Sequence, residues 1–479
     1  MSSLFETHRF LLEKAIAATK SRENWAAFVP LPSPKAYGET AKAEGETAFA
    51  ALRDKPFTID GHPSEGSTGQ EASPYGFALG IVYPAASVET LVAASKAAAP
   101  AWARATPEAR VGVLMEALAR LNRQSFLLAN AVQHTSGQAF LMAFQAGGPE
   151  AQDRALEAVA YAYEAMKRTP AAARWVKQTG KDQFTTIDKT WRIVPRGVAL
   201  AIGCATFPTW NTYPGLFASL ATGNTAIVKP HPGAILPLAI TVRILREVMA
   251  EEGFDPNVVL LAADAADRPI TKELVLHKDV AIVDFTGSSA FGRWVREAAV
   301  GKQVYTEEAG LNAIIVDSTD SLRGMASNIA FSLSLYSGQM CTAPQNVFVP
   351  AGGIATDQGR KSFDEVADAI RIAVDKLLGD PERAAAILGA VQSAETSRRV
   401  ADAAALGRVI RASETADGAA ARTASPLILA VDAADEDAYM AERFGPISFI
   451  IRSRDVAEAI GRAAGAARSH GAISAALYS

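Results

Sequence analysis

The sequence predicts an α/β protein containing at least one parallel sheet, and three observations carry that reading. Short, almost wholly apolar runs recur at 197–203, 224–230, 258–263, 281–287 and 313–317, as in strands buried on both faces. Stretches with helical spacing of apolar residues fall between them, at 213–222, 235–252, 269–277 and 289–299. Strand–helix alternation of this kind is the pattern of βαβ units. The chain is also long enough, at 479 residues with 49% apolar side chains, to fill more than one core.

The elements before this region follow from local signals. Leu4, Phe5, Leu11, Leu12 and Ile16 suit one face of a helix over residues 1–20. A loop with Pro30, Pro32 and Pro34 follows, then a second helix through AKAEGETAFAALRD that ends before Pro56. Residues 1–60 read as an extension with little core of its own. Ser87 or Val88 opens an alanine-rich helix. Thr106, Pro107 and Glu108 supply an N-cap, a first-position proline and a first-turn acid. Another helix covers 150–167, and residues 183–194 alternate as in a strand or hairpin.

A second α/β region follows, with helices near 322–337 and 360–378 and strands near 345–349 and 447–452. The division this suggests is a helical extension over 1–60, a Rossmann-like cofactor domain over 61–308 interrupted by an arm at 181–195, and a catalytic α/β domain over 309–479.

The formal net charge is −4, which offers no overall field to nucleic acid or an anionic membrane. No window has 18 uncharged apolar residues, and charges interrupt the N-terminus, so neither a membrane span nor a signal peptide is expected and the cytoplasm is the expected location. Six histidines form no ligand-spaced cluster and the two cysteines, Cys204 and Cys341, lie far apart. Free thiols and no metal are expected.

Several residues could carry chemistry. Cys341, in SGQMCTAP, lies between a helix and a strand; it is either a nucleophile or a small buried hydrophobe. Glu307 and Glu308 precede an apolar strand, where a carboxylate could activate water or pair with a cation. Asn211 lies in a proline-bearing loop after a strand and is an oxyanion donor or a turn former. Gly287 and Ser288, in DFTGSSAFG, mark a strand-to-helix turn able to meet a phosphate. Lys229 ends a strand and could bind an adenosine ribose or a phosphate, or be an edge lysine whose stem lies along apolar surface; Glu442 opens a strand region and could bind a ribose hydroxyl or form a surface pair.

Together these segments resemble the aldehyde dehydrogenase superfamily. The landmarks run in order as Trp210-Asn211, Lys229, Gly287-Ser288, Glu307 to Gly310, Gly338 to Cys341, and Glu442 to Pro446. The resemblance implies a cofactor domain, a catalytic domain and a β-hairpin oligomerisation arm, and hence a homo-oligomer. It implies Cys341 as nucleophile, Glu307 as general base and Asn211 as oxyanion donor. It assigns Trp210, Lys229, Gly287, Ser288, Glu442 and Phe444 to the cofactor. HTSGQAFLMAFQAGG, GCATFPTWNTYPG and the N-terminal extension most resemble the PaaN-type enzymes of bacterial phenylacetate degradation. That likeness implies an aldehyde substrate, a ring-cleavage semialdehyde carrying a coenzyme A thioester.

Two departures matter. Where the family has a glutamate three residues after the strand-ending lysine, this chain has Pro232, which implies NADP, with NAD as the alternative. The chain stops at HGAISAALYS, so its catalytic domain is expected to lack its C-terminal end. The rival readings keep the fold and pass the acyl group to coenzyme A instead of water, or make the chain a ring-opening hydratase or a non-catalytic cofactor-binding scaffold.

Overall fold

A computed structural model describes residues 3–308, 310–415 and 420–479. Two parallel-rich sheets organise it. We label the hairpin strands β1 (Ala172–Gly180) and β2 (Gln183–Thr190). The first sheet holds β3 (Val198–Ile202), β4 (Thr225–Lys229), β5 (Val259–Leu261), β6 (Val280–Thr286) and β7 (Gln303–Glu307). The second holds β8 (Ala313–Val316), β9 (Asn346–Pro350), β10 (Arg408–Arg411), β11 (Leu427–Asp432), β12 (Ile447–Ser453) and β13 (Ala475–Tyr478).

The first sheet is wholly parallel in the order β7-β6-β3-β4-β5. The chain winds outward from β3 through β4 and β5, then returns to the other side of β3 as β6. The order therefore reverses between β3 and β6, which places a ligand crevice beyond the C-terminal ends of those two strands. β3 and β4 are buried throughout. Their two faces enter different cores: Ala201 and Val228 meet the helices Pro208–Ala221 and Leu236–Glu251, while Leu200 and Ile227 meet Val88–Arg104 and Ser289–Ala298.

The second sheet runs β10-β11-β12-β9-β8-β13, with only the β10–β11 pair antiparallel. The change of sheet falls between Glu307 and Ala313, so the residues between them lie at the boundary of the two domains.

The helix signals read from the sequence are reproduced closely. Ser87 and Thr106 cap Val88–Arg104 and Pro107–Arg123 through their hydroxyls. Other expectations need correction. The extension, described from residue 3, packs on the first domain, with Phe5, Leu12, Phe28, Phe49, Phe57 and Ile59 buried in that domain's core. Their spacing across short helices and loops hid a shared target. The arm begins at Ala172, earlier than 181, and its turn is Lys181-Asp182. Its first strand, AARWVKQTG, is exposed almost throughout, so no burial contrast marked it. β7, β10, β11 and β13 were not foreseen; β7 is only partly buried, and it carries Glu307 at its end, where the sequence suggested a loop.

Candidate active site

The segment before Cys341 adopts an uncommon backbone. Tyr336, Ser337 and Gly338 have φ values of 50°, 50° and 62°. A left-handed conformation costs an L-residue about 1–2 kcal/mol, so the surroundings must impose it. The Tyr336 hydroxyl donates to the Ser136 carbonyl at 2.5 Å. The Ser337 hydroxyl lies 3.1 and 2.9 Å from the Leu388 and Ala424 carbonyls. Gln339 donates to the Tyr336 and Ala390 carbonyls and accepts the Gln392 N–H at 2.9 Å. A Cβ at Gly338 would sit 2.5 Å from the Gly445 carbonyl oxygen, which explains the glycine there.

Beyond the turn, Asn312 fixes Cys341 from the other side. Its Nδ2 donates to the Cys341 carbonyl at 2.7 Å and to the Ala343 carbonyl at 3.1 Å. Its Oδ1 accepts the N–H groups of Ile473 and Ser474, both at 2.9 Å. Nothing in the sequence marked Asn312 except its place just before an apolar strand.

Glu307 faces the Cys341 thiol. The thiol is pushed up to about 11, first by burial and then by the negative charge of Glu307, with Cys204 adding less. The neighbouring acid goes elsewhere: Glu308 pairs with Arg296 and packs on Gly292 of the helix Ser289–Ala298. β7 ends at Glu307, and the two acids, which the sequence alone could not rank, meet different partners. Ala309 of the same motif lies outside the described residues.

Asn211 is not in a loop. It lies in the first turn of Pro208–Ala221, with its N–H bonded to the Phe207 carbonyl at 3.2 Å. A strand-to-helix loop rich in proline hid a helix that begins at one of those prolines. The Cys204 thiol lies 3.9 Å from Asn211 Oδ1, which leaves Nδ2 as the free donor. Cys204, one residue past the glycine that follows β3, therefore belongs to the site. Burial raises its thiol, opposed by Thr206 and Phe207 at the start of the helix.

A cleft of about 530 Å³ has Thr306, Glu307, Gly310, Glu442 and Ile473 in its lining. Glu442 is raised to about 7, mainly by burial, with the Gly310 N–H and Arg399 opposing. A carboxyl so short of donors suits the hydroxyls of a ribose. Arg399 also donates to the Phe444 carbonyl at 2.7 Å, fixing that backbone. Ser288 caps the helix Ser289–Ala298 by accepting the Phe291 N–H. The Gly287 N–H is used on the Glu307 carbonyl at 3.0 Å, so this turn braces the end of β7 as well as the helix end.

Two predicted cofactor contacts are engaged inside the protein. Lys229 is 2% exposed and is paired at 2.6 Å with Asp264 and at 2.6 Å with the Pro230 carbonyl. Trp210 has Arg154 stacked on its ring at 4.7 Å, and its carbonyl accepts from the same side chain at 3.1 Å. Lys229 thus has one N–H left for a ligand, and Trp210 packs against the first-domain core. The remaining features, namely the crevice, the capped helix start and Glu442, fit a dinucleotide.

A doubly wound sheet whose crevice opens on a thiol and a carboxylate defines an oxidoreductase on a Rossmann-like scaffold. The aldehyde dehydrogenase family model matches residues 82–478, and the chain belongs to that family. It is 52% identical to an NAD-dependent aldehyde dehydrogenase from Burkholderia multivorans, with a TM-score of 0.98 over 100% of this chain and 86% of that one. It is 26% identical over 387 residues to the N-succinylglutamate 5-semialdehyde dehydrogenase of Burkholderia mallei, covering 78% of this chain and 74% of that protein. It is 33% identical over 203 residues to the geranial dehydrogenase of Castellaniella defragrans, covering 42% and 39%. The protein is an enzyme that oxidises an aldehyde with a nicotinamide cofactor. Among the described residues, no helix is long and apolar enough to cross a membrane.

Proposed function

We propose that the enzyme converts an aldehyde to a carboxylic acid through a thioester on Cys341, with Glu307 as the base. The observation that carries this is the facing of the Cys341 thiol and the Glu307 carboxylate at the domain boundary. Cys341 attacks the aldehyde carbon as its thiolate, its proton having gone to solvent. The oxyanion is held by the Cys341 N–H and the free Nδ2 of Asn211; one such donor supplies about 2.7–4 kcal/mol. When bound, the nicotinamide is the two-electron acceptor for the aldehyde carbon. Glu442 and the Phe444 backbone would hold the nicotinamide ribose, and Lys229 with the Gly287-Ser288 turn would hold the adenosine side. Glu307 then draws a proton from water, which attacks the thioester and frees Cys341.

Finer assignments follow the sequence. Pro232 leaves no carboxylate to repel a 2′-phosphate, which supports NADP; the Burkholderia multivorans relative, named as NAD-dependent, supports NAD. The likeness to PaaN-type enzymes supports a semialdehyde linked to coenzyme A. The exposed hairpin β1–β2, with Phe184 62% exposed, suits pairing with another copy of the chain. The test is formation of reduced cofactor from a medium-chain aldehyde with NADP and NAD compared, Cys341→Ala as control, and the product analysed. Free acid supports the reading; a new thioester made only when coenzyme A is added would replace water by that thiol.

A further inference from the structure

A second carboxylate stands beside Glu307. Asp284 lies on β6, in register with Tyr305 of β7, and Thr286 is in register with Glu307. Asp284 and Glu307 therefore share one face of adjacent strands, two residues apart in register. That face is covered by the helix Pro208–Ala221, and the helix makes room for an acid there. A Cβ at Gly215 would coincide with the Asp284 carboxylate, so the carboxylate fills the space that a side chain at 215 would occupy. Level with Asp284 on the two strands to its other side stand the apolar Ala201 and Val228. An acid in such a wall costs stability unless it has a use.

We propose that Asp284 is the proton acceptor behind Glu307. During thioester hydrolysis, water gives a proton to the Glu307 carboxylate while its oxygen bonds the acyl carbon and the carbon–sulfur bond breaks. Glu307 must lose that proton before the next water can be activated. It passes the proton to the Asp284 carboxylate, and Asp284, which is partly exposed, releases it to solvent. One proton leaves per acid formed, and no oxidant beyond the nicotinamide is needed.

The electrostatics agree. Asp284 is raised to about 7, first by burial and then by the charge of Glu307. Near neutral pH it can therefore both take and release a proton. β7 brings Glu307 and Tyr305 to this region, and the helix brings Tyr213, whose hydroxyl is bonded to Thr241 at 2.8 Å. β3 brings no titratable group.

The proposal rests on Glu307-assisted hydrolysis, so the experiment separates the two. In stopped flow with aldehyde and cofactor, wild-type enzyme should show a burst of reduced cofactor, free acid as product, and turnover that rises as pH passes through about 7. Asp284→Asn should keep the burst amplitude and the aldehyde KM. Its kcat should fall about ten- to a hundredfold, lose the inflection near 7, and recover with added imidazole. Asp284→Glu should recover part of the rate without imidazole. A wild type that makes reduced cofactor but no free acid removes the hydrolytic reading, and the relay with it. A wild type that makes free acid, alongside an Asp284→Asn enzyme with unchanged kcat and pH profile, overturns the relay alone. A parallel loss of burst and turnover without imidazole rescue also overturns it, since that is the mark of a structural role.

Discussion

Asn312 and Cys341 are joined by a 2.7 Å hydrogen bond from the Asn312 side-chain amide to the Cys341 carbonyl. The same side chain accepts from Ile473 and Ser474, so one residue ties the thiol-bearing loop to the segment leading into β13. Asn312 is 2% exposed. Asn312→Ala leaves two partly buried N–H groups and two carbonyls short of partners, at about 1–3 kcal/mol each at most. We expect a lower midpoint in urea unfolding and slower alkylation of Cys341. An unchanged alkylation rate would show that the loop holds itself.

Glu307→Gln removes the charge that helps keep the Cys341 thiol near 11. Without that charge the thiol should ionise at lower pH, so the midpoint of iodoacetamide alkylation against pH should move down. Turnover should be lost while a burst of reduced cofactor remains. A midpoint that moves up would mean that Glu307 stabilises the thiolate.

Gly338→Ala places a Cβ 2.5 Å from the Gly445 carbonyl oxygen at a φ of 62°. Clash and backbone strain together should cost a few kcal/mol. A fall in Tm of several degrees, with loss of activity, is the expected result of thermal melting and assay on one preparation.

Lys229 and Asp264 form a buried pair. Removing one partner of such a pair costs about 3–5 kcal/mol. Lys229→Met should therefore lower Tm markedly as well as raise the cofactor KM. A raised KM at unchanged Tm would show a lysine held ready for the ligand with little structural duty.

Much of the fold was legible because burial on both faces leaves an unmistakable apolar run, as in VALAI of β3 and TAIVK of β4. β7 escaped because an edge strand needs only partial burial, and QVYTE is as polar as a loop. The same polarity made Glu307 look like a loop residue. The separation of Glu307 from Glu308 depends on which partner each one meets, a tertiary fact that spacing does not encode. Lys229 was readable as a strand-ending lysine, but its partner Asp264 lies 35 residues on, after another strand and helix. Asp284 went unnoticed inside an otherwise apolar run because its meaning comes from Gly215 on a different element.

The central claim is the thioester on Cys341. The most direct measurement is mass spectrometry of the Glu307→Gln enzyme, quenched in acid after one turnover with aldehyde and cofactor. The expected result is an acyl adduct of the substrate's mass on the peptide containing Cys341, equal in amount to the reduced cofactor formed. Reduced cofactor formed with no adduct, or with the adduct on Cys204, would contradict it.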